Sequence, residues 1–175
     1  ASATSCENIT VTLSTSGTAT NGTDYSSLNG QTITISSGST TGTKTFTTTD
    51  DSTYEGDETV VVAISSVSGS SATESGTQSV TTTITENELT PRIQLSASAL
   101  GILEGSGGSL TLTATATQAA DEDITVAFST SGTASEGTDY ANVSDITIAA
   151  GSTTGTTTFD PTSDTVNEGS ETATI

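Results

Sequence analysis

The stretch ITVTLSTSGTATNGTDY, Ile9 to Tyr25, returns as ITVAFSTSGTASEGTDY, Ile124 to Tyr140, and this recurrence decides the fold. The offset is 115 residues from Ile9 to Ile124, but 113 from Phe46 to Phe159 and from Glu55 to Glu168, so two residues are lost between Tyr140 and Ile146. A length change confined to one short stretch marks a surface loop. A period of this size is too long for a solenoid coil and suits a small domain. The chain therefore reads as a tandem repeat, residues 1–89 and then 90–175, with Pro91 after TENELT as the hinge.

Roughly four residues in ten are Ser or Thr, a bias that a disordered stalk would share. Here, however, Thr alternates with Val, Ile and Leu over many short runs, which favours strands. The first repeat is expected to hold strands at Ile9 to Ser14, Gln31 to Ser36, Thr43 to Thr48, Glu58 to Ser65 and Gln78 to Thr85. The second is expected to hold them at Ile93 to Ala97, Ser109 to Thr117, Ile124 to Ser129, Ile146 to Ala149, Thr156 to Phe159 and Glu171 to Ile175. Each run is bounded by Gly, Ser, Asn or Asp, and no amphipathic helix pattern intervenes, so the fold class is all-β, with antiparallel β-sandwiches in tandem. The three Phe and three Tyr leave Val, Ile, Leu and Ala to build the core, which suits two small domains. Phe46 and Phe159 occupy the same inward position in the two copies, and Tyr25 and Tyr140 are expected to pack on the sandwich end. Gly22 and Gly137 precede the Thr-Asp-Tyr step, where a positive φ suits glycine.

In this register residue 1 faces residue 116, so the first copy has no counterpart of Ile93 to Thr115. Ile175 faces Val62, so the second lacks the counterpart of Ala63 to Glu86. Both sandwiches are thus expected to be incomplete at the chain ends. The partners implied are neighbouring repeats of a longer array, or copies of the same chain that supply strands head to tail in a homopolymer.

Twenty-one acids against Lys44 and Arg92 give a net charge of −19. Without a basic patch, nucleic acid and anionic membrane surfaces are unsuitable partners. No apolar run approaches a membrane span, and the amino terminus lacks the pattern of a secretory signal. With no histidine and one cysteine, Cys6, neither an internal disulfide nor a Cys/His zinc site can form, and the thiol is free or joined to another chain. Catalysis is not expected: the thiol lacks a base, no serine motif has a positioned partner, and a glycosidase carboxylate pair would want aromatic sugar platforms.

The acids fall in loops or at strand ends. The first copy has Asp24 in GTDY, Asp50 and Asp51 in the DD pair, Glu55, Asp57 and Glu58 in YEGDE, and Glu86 and Glu88 in TENE. In the second, Asp139, Asp164, Glu168 and Glu171 recur in register, with Glu104 in an ILEG turn. Loops after alternate strands of a sandwich gather at one end, so these acids are expected to converge. Neighbouring carboxylates raise one another's pKa unless a cation compensates them, and calcium accepts an irregular shell of carboxylate and carbonyl oxygens. Turn formation and solubility supply the alternative reading of the same acids.

GTATNGTDY, an apolar TITI strand, GSTTGTKTF, DDSTYEGDE and TVVVAIS together resemble the Calx-β domain, the calcium-binding module of sodium/calcium exchangers, an integrin subunit and many bacterial surface proteins. The resemblance runs from about Ile9 to Ile175 and implies seven-stranded immunoglobulin-like sandwiches with Ca2+ in the distal loops. Its implied ligands are Asp24, Asp50, Asp51, Glu55, Glu58, Glu86 and Glu88 in the first copy, and Glu104, Asp139, Asp164, Glu168 and Glu171 in the second. Asn87 interrupts the acidic run of the first copy and Ser163 replaces the first acid of the DD pair in the second; each loss removes charge from the cage, and weaker binding is expected in the second copy. The role implied is an extracellular or cell-surface structural or adhesive spacer, or a fibre-forming unit, of a bacterial-type surface protein. The alternative is a calcium sensor whose inter-domain angle changes. Three sequons, at Asn8, Asn21 and Asn142, and the dense Ser and Thr permit glycan modification.

Overall fold

A computed structural model describes all residues from Ala1 to Ile175. It contains eleven strands and no helix. They are β1 (Ile9–Ser16), β2 (Thr32–Ile35), β3 (Glu58–Ser68), β4 (Ser79–Ile84), β5 (Ile93–Ala97), β6 (Leu110–Ala116), β7 (Ile124–Val126), β8 (Ser131–Gly132), β9 (Ile146–Ile148), β10 (Thr154–Phe159) and β11 (Ala173–Thr174). Two compact units result, β1 to β4 in one and β5 to β11 in the other.

In the first unit the strands form one antiparallel sheet in the order β2-β1-β3-β4. Alternation sends Leu13 and Val60 inward, where the loop residues Ala19, Tyr25 and Leu28 cover them and Phe46 packs alongside. Tyr25 meets Phe46 edge to face, with ring centroids 5.6 Å apart. The second unit has a β10-β6-β5 sheet and two short pairs, β7-β9 and β11-β8. Leu112, Ala114 and Ala116 of β6 and Phe159 of β10 pack with Ile146 and Ile148 of β9, which makes a sandwich core. Here Tyr140 stacks on Phe159 at 4.7 Å. Both tyrosines are buried, as expected of core residues.

The repeat read in the sequence is a repeat of strand register. Val11 opposes Ile33 in the first unit, and Val126 opposes Ile146 in the second. Ser16 opposes Val61 in one, and Ser131 opposes Thr174 in the other. Three expected strands differ in the structure. Thr43 to Thr48 is no strand, apart from an isolated bridge of Thr48 to Tyr25. Its counterpart β10 pairs with β6, and the first unit holds no equivalent of β6 for this segment to bond. Ile124 to Ser129 is strand only to Val126, resuming at Ser131, and Glu171 to Ile175 shrinks to Ala173–Thr174.

One contact recurs in both units. Gly17 (φ +118°) and Gly132 (φ +129°) pass so close to the next strand's start that a Cβ would lie 2.1 Å from the Thr59 carbonyl oxygen or 2.0 Å from that of Thr172. The close pass lets Ala19 N–H donate to Thr59 O and Ala134 N–H to Thr172 O, both at 3.1 Å. It is reinforced by Thr59 N–H donating to Thr18 Oγ1 at 2.8 Å and Thr172 N–H to Thr133 Oγ1 at 2.9 Å. Gly22 and Gly137 also have positive φ, +91° and +80°, but a Cβ would meet little there. Gly17→Ala and Gly132→Ala should therefore cost more, by a clash added to about 1–3 kcal/mol of backbone strain, than Gly22→Ala. Denaturant melts of the three variants check the ranking, and equal losses would contradict it.

Candidate metal centres

The glycine passage positions carboxylates. By seating the 17–25 loop on the start of β3, it sets Asp24 beside Glu58, and the corresponding contact at Thr172 sets Asp139 beside Glu171. The Asp loop is closed locally: Thr20 N–H donates to Asp24 Oδ2 at 2.5 Å and Ser135 N–H to Asp139 Oδ2 at 2.6 Å. On the other side, Thr49 N–H donates to the Asp24 carbonyl at 2.8 Å and Thr162 N–H to that of Asp139 at 2.9 Å. Each aspartate is thus held from two directions before any ligand is considered.

Two groups of three carboxylates result, Asp24 with Glu55 and Glu58, and Asp139 with Glu168 and Glu171. Within each group, one oxygen per residue lies within 4.8 Å of the others. Calcium–oxygen distances of about 2.3–2.6 Å separate ligands on opposite sides of an ion by about 5 Å, so one ion can touch all three. Donors made only of oxygen select a hard cation such as Ca2+ and disfavour zinc. Three carboxylates leave room for further carbonyl or water oxygens, which calcium's coordination number requires. The residues present therefore fit the ion that the resemblance implies.

The groups differ in burial. Asp24 is 8 % exposed and is the one buried charged side chain, with Glu55 and Glu58 half-buried beside it. Asp139 is half-buried, and Glu168 and Glu171 are exposed. Both of these glutamates are held above the ordinary value of 4.5, first by loss of hydration and then by neighbouring negative charge. Asp139, Asp164, Glu171 and Glu104 act on Glu168. Asp139, by charge and by a hydrogen bond, and Glu104 act on Glu171. Exposure limits the hydration loss, so the like-charge field is the firmer cause.

The other acids named from the sequence lie outside the two groups. Asp164 N–H donates to Glu104 Oε1 at 3.0 Å, which places that pair at the edge of the second cluster. Asp50 Oδ1 accepts from Asn87 Nδ2 at 2.9 Å. Glu86 accepts Gly56 N–H at 2.6 Å, and its own N–H donates to Asp57 Oδ1 at 2.9 Å. Glu86 thereby anchors the turn between Glu55 and Glu58. Asp51 and Glu88 belong to neither group. Reading by residue type missed Gly17, Thr18 and Thr59 and their counterparts, which assemble the site without offering a carboxylate. The STSGT segment shared by both copies was the available signal.

A raised carboxyl pKa in the folded state means that the native protein holds protons more tightly than the unfolded chain. Without cation, the stability linked to Glu168 and Glu171 is therefore fully present below 4.5 and is lost as pH rises through their raised values. At neutral pH Glu168→Gln should raise the melting temperature in chelator, by relieving repulsion, and reduce the gain on adding calcium. A calorimetric melt in each condition reads both signs, and a variant less stable in chelator would contradict the repulsion.

The Calx-beta domain family model matches the sequence twice, over residues 1–89 and 87–175. No match is found among curated proteins. The two matched segments span the whole chain and each contains one carboxylate group, so the protein belongs to the Calx-beta domain family, carrying two copies in tandem.

Proposed function

We propose that this chain is a calcium-stiffened structural segment, a spacer in an extracellular or cell-surface protein of the bacterial adhesin or fibre type. The observation that carries the reading is the repetition of the carboxylate triad at equivalent positions in both copies, in a chain whose only basic side chains are Lys44 and Arg92. Lys44 is turned to Gln31, with Nζ donating to Oε1 at 3.2 Å. At neutral pH, cations from solution would compensate the clusters. The family is a non-catalytic structural and regulatory one with calcium-binding β-sandwich members, which supports a role in shape.

When bound, calcium would supply positive charge where the folded chain otherwise concentrates like charge. Asp24 and Asp139 would hold it from the GTDY loops, and Glu55, Glu58, Glu168 and Glu171 from the EGxE turns. Each ion would join segments far apart in sequence and so resist their opening. Asp50, Asp51, Glu86 and Glu88 in the first copy, and Glu104 and Asp164 in the second, are proposed to add outer ligands or negative field. The greater burial of the first group favours tighter binding there, because its charges are less hydrated and less screened.

Ligand at about 100 times its Kd stabilises a site by about 2.7 kcal/mol, which is roughly 10 °C or more for a domain of this size. Calcium against chelator should shift the melt upward by that order. Asp24→Asn and Asp139→Asn should each remove the gain of their own repeat. A melt indifferent to calcium would leave the acids as solubilising surface charge and overturn the reading.

A further inference from the structure

Three asparagines open an Asn-x-Ser/Thr triplet, Asn8, Asn21 and Asn142, and the fold uses the side chains of the first two. Asn8 Oδ1 accepts the Ser37 N–H at 2.9 Å. In the second copy Asp123 stands at the same place, and its Oδ1 accepts the Ala150 N–H at 2.8 Å. Asn21 Oδ1 accepts the N–H groups of Leu28 at 2.9 Å and Asn29 at 3.2 Å, while its Nδ2 donates to Ser27 Oγ at 3.0 Å. Its counterpart Glu136 accepts the N–H of Val143, the counterpart of Leu28, at 3.2 Å. An acid stands in for each of these asparagines in the other copy because the shared bond needs only a side-chain oxygen. Asn142 differs. Its counterpart is Ser27, its side chain is exposed and takes no hydrogen bond, and Ser144 is exposed as well.

The backbone separates the three triplets in the same way. Ile9 and Thr10 are paired in β1 with Ile35 and Thr34. Gly22 and Thr23 are tied into a turn, Gly22 N–H donating to Tyr25 O at 2.9 Å and Thr23 N–H to Thr20 O at 3.1 Å. Residues 142–144 lie outside any strand, in the loop between Tyr140 and β9 where the two copies differ in length, and only the Val143 N–H is engaged. Loops of that kind accept added bulk. A transferase can therefore draw in the third triplet without breaking the sheet or a turn.

We propose that Asn142 is a glycan attachment site of the folded protein, and that Asn8 and Asn21 are not. In the transfer, Nδ2 of Asn142 forms a bond to the anomeric carbon of a nucleotide-activated sugar. The bond from that carbon to the diphosphate breaks, the nucleoside diphosphate leaves with the electron pair, and a proton from Nδ2 passes to solvent. Asn142 belongs to neither carboxylate group, so the attachment asks nothing of the cation sites. The inference goes beyond the spacer role and needs only that the folded chain meet a glycosyltransferase.

The test incubates the folded full chain with a soluble N-glycosyltransferase that acts on Asn-x-Ser/Thr, with UDP-glucose as donor, and reads intact mass and the modified peptide by mass spectrometry. One hexose per chain is expected, on Asn142. Asn142→Gln and, separately, Ser144→Ala should leave the chain bare, with circular dichroism reading their fold. Melting curves give a second readout: Asn8→Ala and Asn21→Ala should lower the melting temperature and Asn142→Ala should not, since only the first two remove bonds of the fold. A folded chain that stays bare at Asn142, or takes sugar at Asn8 or Asn21 as fast as at Asn142, overturns the proposal. So does an Asn142→Ala chain that melts as low as Asn21→Ala. The calcium melt is a separate measurement, so failure here leaves the spacer role standing and failure there leaves Asn142 standing.

Discussion

The carbonyl oxygen of Thr59 in one unit, and that of Thr172 in the other, lies so near the preceding loop that no side chain fits between them. Only glycine can stand at 17 and 132, and the positive φ there turns the chain out of its strand and across the start of the next. The aspartate side of each carboxylate group follows from this turn. Ala19 and Ala134 dock by backbone hydrogen bonds, the Asp side chain closes the loop on the amide of Thr20 or Ser135, and Tyr25 or Tyr140, the next residue, drops into the core. The same backbone contact therefore anchors the core and fixes the carboxylates.

Charge is segregated along the chain by the same logic. Of the 21 acids only Glu58 lies in a strand. Strand faces are left to Thr, Ser and aliphatic residues, which pair across the sheet without repulsion. Loops and strand ends take the negative charge. Such a division keeps like charges from opposing one another across the sheets, but it concentrates them where the loops gather. The second group shows the cost, with Glu168 and Glu171 both held above the ordinary carboxyl range. In the first group Asp24 is buried and more of the cluster is shielded from water. A cation at these points would turn a concentration of like charge into a cross-link.

Much of this was legible in the sequence. The recurrence from Ile9 and from Ile124 announced two copies, and alternation placed β1, β2, β3, β4, β5 and β6 to within a few residues because period-2 burial writes itself into residue type. Thr43 to Thr48 shows the limit. It alternates as well as β10 does, yet a strand also needs a partner, and its partner's equivalent is not in the first unit. For the carboxylates, register carried the pairing of Asp24 with Asp139, Glu55 with Glu168 and Glu58 with Glu171. It did not separate these from Asp50 or Glu86, whose hydrogen bonds to Asn87 and Gly56 arise from loop paths that composition does not encode. Gly17 and Gly132 were not singled out, because a close backbone approach leaves no trace in the sequence beyond the absence of a side chain.

Counting bound calcium shows whether each carboxylate triad holds a cation. Native mass spectrometry of the intact chain, titrated with calcium and with magnesium as control, resolves the ions one at a time. At least two calcium ions per chain are expected, the first and tighter one lost with Glu58→Gln and another lost with Glu171→Gln. A chain that carries no calcium above the magnesium control, or the same number after both substitutions, would contradict it.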